Sequence, residues 1–329
     1  MQDDGAALVR DLTALARTAL PRYGIAADAS VSLLSYSENA VFAVADPRTG
    51  RRRVLRLHRP HYHSRQAIQS ELDWMDALER AGIGAPRSVP GSDGAHVQDA
   101  GSPGTAGRMV TVLEWIDGRA PDEGDLLPTL RRLGELAARM HAQSRQWTRP
   151  AYFERLVWDR QGTIGARAYW GRWEAAADLM PDGRALLERA TQLLGQRLDV
   201  FGTGPERYGL IHADQRAANL LIDGERTSII DFDDCGLGWF LHDLAAALSF
   251  IEHRADVDQL TGAWLEGYTR AGALPQADID EIPSFLLQRR LQLLAWRGSH
   301  ADTELARSLG PEWVAATVRM GEQYLQRLG

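Results

Sequence analysis

Two short motifs at a fixed spacing constrain this chain more than any other feature. The first is His212-Ala213-Asp214-Gln215-Arg216-Ala217-Ala218-Asn219. The second is Asp231-Phe232-Asp233-Asp234, reached through the apolar run Ser228-Ile229-Ile230. Tyr208-Gly209-Leu210-Ile211 ahead of the first motif and Leu220-Leu221-Ile222 behind it read as short strands. Asp223-Gly224 supplies a tight turn, and residues 227–232 read as the return strand. Asn219 and Asp231 then stand at the two ends of one hairpin, which can bring an amide oxygen and a carboxylate together. Four such polar residues can also arise by chance in a chain with 44 acidic residues. The strand–turn–strand context argues against chance.

This pattern, His-x-Asp-x4-Asn and then Asp, resembles the catalytic loop and metal-binding segment of protein-kinase-type phosphoryl-transfer enzymes. The chemistry explains the residue types. A γ-phosphoryl group in flight is highly charged, so the protein must position and neutralise it. Asp214 would accept the proton of an attacking hydroxyl. Asn219 and Asp231 would hold Mg2+, because hard oxygen ligands suit a hard cation. His212 would support the loop, and Asp233 would assist the metal or the acceptor, with Arg216 a further candidate beside Asp214.

Together with the later Gly238-Trp239-Phe240-Leu241-His242-Asp243-Leu244-Ala245, these motifs resemble the aminoglycoside phosphotransferase and choline kinase superfamily. The closest likeness is to type II homoserine kinases, the bacterial stress-response kinases and hydroxylysine kinases. The resemblance extends from about Leu33 to His300. It implies a two-lobed, protein-kinase-like α+β fold and an ATP- and Mg-dependent transfer to a hydroxyl group. It also implies that Asp243 buttresses the catalytic loop. The same motifs occur in serine/threonine kinases of the stress-response type and in antibiotic-modifying aminoglycoside phosphotransferases, so both remain alternatives. The interval between Asp231 and Asp243 has no room for the long activation segment of a phosphorylation-regulated kinase. That favours a small acceptor over a docked protein chain.

Composition adds boundaries. The 329 residues suit two lobes sharing a cleft, with residues 1–113 as the first lobe, 114–118 as a hinge and 119–329 as the second. A net charge of -7 argues against nucleic acid as a partner. No apolar run has the length of a membrane span, and an N-terminus carrying Asp3 and Asp4 does not read as a signal peptide. Cys235 is the single cysteine, so no internal disulfide forms; the expectation is a cytoplasmic protein. All 37 basic residues are arginine. High-GC codon usage and selection against amine side chains both produce such a pattern.

Toward the N-terminus, residues 6–20 carry a helical apolar stripe that Pro21 ends. Residues 31–37, 40–45 and 52–58 read as strands. Ser37-Glu38-Asn39 joins the first two, where a kinase folds a loop over the phosphates. It lacks the glycines of that loop but resembles a Glu-Asn turn of the homoserine and stress-response kinases. Arg56 occupies the third-strand position of the kinase phosphate-gripping lysine. Glu71, on a helix from about Ser64 to Ala81 with Ser64 as N-cap, would hold it. A guanidinium binds oxyanions as a fork and stays charged, so the grip would differ in geometry. His58, His61 and His63 have no carboxylate or thiol beside them and read as a polar loop rather than a zinc site. The glycines from Gly91 to Gly107, Gly104 included, read as a loose hairpin with a short strand near His96-Val97. Residues 109–115 read as a strand running into the hinge, where the resemblance implies that Glu114 and Ile116 offer main-chain groups to adenine.

Beyond the hinge, helices are expected at residues 126–143, 186–200, 243–250, 260–271, 282–296 and 312–328. His141 near the end of the first suits the helix dipole. Residues 146–173 are dense in aromatics, with Arg155, Arg160, Arg167 and Arg172 interspersed; residues 285–300 carry Arg289, Arg290, Trp296, Arg297 and His300. In the superfamily these segments flank the acceptor. The arginines point to an anion-bearing acceptor, of the hydroxy amino acid kind, or else form a solvated face over a core of aromatics. A small amino alcohol is the other expectation.

Overall fold

The structure is a computed structural model. It describes residues 2–101, 107–122 and 124–329; Gly104 lies outside them. In chain order the elements are α1 (Gln2–Ala19), β1 (Ser30–Tyr36), β2 (Ala40–Ala45), β3 (Arg52–Leu57), α2 (Arg65–Arg80), β4 (Gln98–Ala100), β5 (Arg108–Glu114) and α3 (Leu126–Gln146). Then follow β6 (Leu156–Trp158), α4 (Arg160–Thr163), α5 (Pro181–Phe201), β7 (Tyr208–Ile211), β8 (Leu220–Asp223), β9 (Arg226–Ile229), β10 (Gly236–Trp239) and α6 (Phe240–Ala247). The chain closes with α7 (Val257–Thr269), α8 (Gln276–Ile279), α9 (Ile282–Ser299), α10 (Glu304–Ser308) and α11 (Pro311–Leu328).

The chain folds into two compact units. The first comprises Met1–Arg119, Thr148–Arg155 and Leu221–Asp233; the second comprises Ala120–Trp147, Leu156–Leu220 and Asp234–Gly329. A division at the hinge alone does not give the two later stretches that join the first unit.

In the first unit an antiparallel sheet runs β1-β2-β3-β5-β4. Alternation decides its faces. Ala40, Phe42 and Val44 of β2, Leu55 and Leu57 of β3, and Val110 and Val112 of β5 form one core with Leu12, Ala16 and Leu20 from the N-terminal segment. Arg56, between Leu55 and Leu57, therefore lies on the opposite face, toward α2. The α2 helix starts where Ser64 Oγ accepts the Ala67 N–H at 3.0 Å. Its stripe of Ile68, Leu72, Met75 and Leu78 is buried. The β4 strand begins just after the expected position, with Val97 buried at its entry. The β8–β9 pair is tied to the same unit by bridges Gly84↔Ser228 and Arg119↔Ile222.

In the second unit β10 pairs parallel with β6 and antiparallel with β7. Neither β6 nor β10 is expected from the sequence, because β10 reads Gly-Leu-Gly-Trp and glycine is a weak strand former. The neighbours require it. A Cβ on Gly236 would lie 2.4 Å from the Leu156 carbonyl oxygen, and one on Gly238 would lie 2.5 Å from Ile211 Cδ1. The helix carrying Asp243 starts at Phe240 rather than at Asp243 itself. The α9 helix is buried on almost every side, Arg289 and Arg290 included. Among the described residues no helix is long and apolar enough to cross a membrane.

Candidate active site

In the second unit the loop after β7 is built around Asp214. Its neighbour Ala213 adopts φ 65, a left-handed conformation that disfavours a residue with a Cβ by about 1–2 kcal/mol. Asp243 offsets that strain. Its carboxylate accepts the Ala213 N–H at 2.8 Å and the His212 N–H at 3.2 Å. The same carboxylate accepts from His141 Nε2 at 2.9 Å. Burial pushes the His141 pKa down despite Asp243. His141 is thus a neutral donor in a buried pair, and the helix-dipole account of it does not apply. His212, fully buried, accepts the Asp214 N–H on Nδ1 at 3.3 Å.

Three side chains converge on the Asp214 carboxylate. Arg216 Nε donates to Oδ1 at 2.9 Å and to Oδ2 at 3.1 Å. Asn219 Nδ2 donates to Oδ2 at 3.0 Å and to the Asp214 carbonyl at 2.8 Å. Arg289, from α9, donates to Oδ1 at 3.0 Å and to the Ala213 carbonyl at 3.3 Å. Burial alone would raise the Asp214 pKa, but the Arg216 and Arg289 charges outweigh it and hold the carboxyl below its ordinary range. Asp214 is therefore a fixed carboxylate at neutral pH. Its pairing through Nδ2 leaves the Asn219 side-chain carbonyl oxygen as its remaining acceptor.

The first unit holds the other half of the predicted set. Arg56 Nη1 donates to Glu71 Oε1 at 2.8 Å and lies 3.6 Å from Asp233 Oδ1. Burial works against this charge, yet Glu71, Asp233 and Asp231 more than compensate, and the guanidinium pKa is raised. Asp231 is exposed and adopts φ 66. Asp233 is buried, with Arg59 Nη2 at 3.9 Å and His63 Nε2 at 3.8 Å besides Arg56. Burial would raise its pKa; the surrounding Arg56 and His63 bring it down. Asn39 Oδ1 accepts the Arg59 N–H at 2.8 Å, Glu38 Oε2 lies 3.4 Å from Arg59 Nη1, and Ser37 is exposed. The Glu-Asn turn is thus tied to Arg59. Glu114 donates its N–H to the Arg87 carbonyl at 2.8 Å, and no backbone hydrogen bond involves Ile116 among the described residues. His58 and His63 are buried while His61 is exposed, and no cluster of three metal-ligating side chains forms among the described residues.

The Asp231 carboxylate of the first unit and the Asn219 amide oxygen of the second are each hard oxygen donors, of the kind that suits a divalent cation that keeps most of its waters and is completed by substrate phosphates.

Sequence reasoning missed Arg155 and Arg289 as parts of this machinery. Both belong to segments expected either to face an acceptor or to form a solvated face; the structure buries them instead, Arg289 against Asp214. Arg155 donates to the Ala67, Phe232 and Asp233 carbonyls. Arg290 pairs with Glu252 at 3.0 Å, both fully buried. Arg297 pairs with Asp178 at 2.7 Å and Arg172 with Glu174 at 2.5 Å. Trp158, Trp170 and Trp173 are core residues.

In the second unit Asp214 is a fixed carboxylate beside Asn219, and in the first unit Arg56 is paired with Glu71; these are residue types that phosphoryl-transfer enzymes use. The chain belongs to the phosphotransferase enzyme family, whose model matches residues 32–309. It is similar to a microcompartment-associated aminopropanol kinase of solved structure, with TM-score 0.87 and 40% identity over 96% of this chain and 98% of that one. It is 25% identical to the amicoumacin kinase of Bacillus subtilis strain 168, over 83% of this chain and 81% of the relative. A solved amicoumacin kinase in complex with AMP-PNP, Ca2+ and Ami shares the fold, with TM-score 0.76 and 23% identity over 98% and 96% of the two chains. The chain is thus a kinase that phosphorylates a hydroxyl group of a small molecule.

Proposed function

We propose that the chain transfers the γ-phosphoryl group of ATP to the hydroxyl of a small amino alcohol, with Mg2+ as the metal. The observation that carries the acceptor class is the 40% identity to the aminopropanol kinase over nearly the whole of both chains.

In this reading Asp214 orients the acceptor hydroxyl and takes its proton as the new O–P bond forms and the bond to the departing ADP breaks. Arg216, 31% exposed where Arg289 is 1% exposed, is the guanidinium of the pair able to follow charge onto the transferring phosphoryl. Arg56, held by Glu71, presents its fork to the phosphates, and the Ser37-Glu38-Asn39 turn covers them. Glu114 and Ile116 offer main-chain groups to adenine. The Asn219 carbonyl oxygen and the Asp231 carboxylate would hold Mg2+, which supplies charge neutralisation on the phosphates. His212 and Asp243 keep the strained loop in place.

A second reading is a hydroxyl-bearing antibiotic acceptor, favoured by the 25% identity to amicoumacin kinase over 83% of the chain. ATP consumption should be measured across aminopropanol, ethanolamine, choline, homoserine, hydroxylysine, amicoumacin and a kanamycin-type aminoglycoside. An amino alcohol should show the highest kcat/KM. Turnover confined to amicoumacin would transfer the assignment to the second reading, and turnover confined to hydroxy acids would refute both.

A further inference from the structure

Residues 148–155 follow α3 in the chain but belong to the first unit. They lie along α2 as a strap. Gln66 Nε2 donates to the Tyr152 carbonyl at 2.5 Å, and Tyr152 Oη donates to Asp73 Oδ2 at 2.7 Å. Ser64 Oγ donates to Glu154 Oε1 at 2.9 Å, and the Glu154 N–H donates to Ser70 Oγ at 3.0 Å. The strap ends in Arg155, whose side chain is fully buried.

The Arg155 guanidinium faces two elements at once. Toward α2, Nη1 donates to the Ala67 carbonyl at 3.1 Å and lies 3.8 Å from Glu71 Oε2. That carboxylate oxygen is buried and makes no hydrogen bond. Toward the second motif, Nη2 donates to the carbonyls of Phe232, at 3.3 Å, and Asp233. The Phe232 ring meets Trp74 of α2 edge-on at 5.6 Å. Asp231, exposed and in a left-handed conformation, thus precedes two residues whose main chain is pinned to α2 through one buried fork.

We propose that Arg155 is a positioning residue: it locks the helix that carries Glu71 to the Asp231–Asp233 segment, so that the phosphate clamp and the metal-binding carboxylate are set as one piece. This rests on the nucleotide and metal roles given above to Arg56, Glu71 and Asp231. A planar guanidinium suits the task because its donors diverge in fixed directions and stay charged when buried. An ammonium offers a point charge without that fork. Arg155 acts through its neighbours, since its burial and its protein partners leave it no face for a substrate.

The test measures binding of a non-hydrolysable ATP analogue as a function of Mg2+ by calorimetry, alongside acceptor KM and thermal melting, in the full chain. Arg155→Met should weaken metal-dependent nucleotide binding about 10–100-fold, the usual loss when an outer partner of a ligand is removed. Arg155→Lys should recover part of it, and acceptor KM should stay unchanged in both. Should Arg155→Met fail to fold, the surface double variant Tyr152→Phe/Glu154→Ala decides, with a smaller loss in the same direction. Wild-type nucleotide and metal binding in the folded variants, with acceptor KM raised, would overturn the proposal and return Arg155 to the acceptor. Because binding is read without acceptor, a wrong acceptor class leaves this test standing. A wild-type chain that binds no nucleotide with Mg2+ overturns both readings.

Discussion

Replacing Arg289 separates the charge state of Asp214 from its mere presence. Two guanidiniums meet Asp214 Oδ1, at 2.9 Å from Arg216 and 3.0 Å from Arg289. Arg216 is partly solvated, so water screens its contribution, whereas Arg289 is buried and screened little. The Arg289 hydrogen bond to a carboxylate contributes about 1.5–3 kcal/mol. Its loss from the transition state corresponds to roughly a 10–150-fold fall in kcat/KM. The sign with pH follows from the cause. Burial raises the Asp214 pKa and the two arginines bring it below the ordinary carboxylate range, so the base stays ionised into mildly acid solution. Removing one arginine lets burial count for more, and the pKa moves up. Arg289→Met, which keeps an unbranched side chain against Trp170, should therefore lose activity at neutral pH and shift the acid limb of the kcat/KM profile to higher pH. Arg289→Lys should keep the limb nearer its original place, because the charge remains. Rate–pH profiles of folded variants check both. An unmoved acid limb in Arg289→Met would refute the argument, and with it the role of Asp214 as the titrating base.

Asp214→Asn should reduce turnover about 10²–10⁴-fold while nucleotide binding persists; half the activity remaining would remove Asp214 from the chemistry. Turnover should stop with chelator and return with Mg2+. Asp231→Ala should impair metal dependence more than Asn219→Ala, since it deletes a charge as well as a ligand, and the reverse order in metal titrations would count against the assignment. Reagents that acylate a phosphate-site lysine through an ATP mimic should leave this chain unmodified, because Arg56 stays protonated against Glu71. Arg56→Lys should gain the label by mass spectrometry, and no label with binding intact would place the clamp elsewhere. His242 has its pKa lowered to about 3, first by burial and then by Arg289. The unfolded chain takes up this proton near pH 6.5 and the folded one does not, so stability falls as pH drops from 6.5 toward 3. The slope from this group is up to about 1.4 kcal/mol per pH unit. Denaturant melts of His242→Phe should show a flatter acid dependence than wild type; parallel curves would contradict the shift.

What was readable in the sequence was local. Strand alternation and the Ser64 cap depend on neighbours a few residues apart, so β1 to β3 and α2 emerge from pattern alone. The sequence sets Arg56 on a strand and Glu71 on a helix, and the fold places them 2.8 Å apart. What stayed hidden depends on which face a polar residue takes in a crowded interior. Arg289 and Arg290 are adjacent on a helix buried nearly all round, so no amphipathic stripe distinguishes them. One meets Asp214 and the other Glu252. Strand β10 was hidden for a different reason: its glycines are dictated by the close approach of Leu156 and Ile211, which no single-strand propensity records. Arg155 sits among aromatics and arginines that suggested a substrate surface, and only the course of residues 148–155 along α2 reveals its partners.

The absence of lysine acquires a structural meaning at these positions. Glu71 has Arg56 at 2.8 Å and Arg155 at 3.8 Å; Asp214 has Arg216 at 2.9 Å and Arg289 at 3.0 Å. Each carboxylate is thus set by two guanidiniums, and Arg155 and Arg289 also hold main-chain carbonyls of the segments that carry Asp233 and Asp214. A buried ammonium answers desolvation by losing its proton, whereas a guanidinium keeps its charge. Burial lowers the Arg289 pKa and the Asp214 charge works against that fall. The fork matters as much as the charge, because one planar group reaches a carboxylate and a carbonyl on different sides. Codon usage can make arginine frequent over a whole chain. It does not explain why the buried pairs use the diverging donors of arginine to hold strained residues such as Ala213, so at these sites the residue choice follows from geometry.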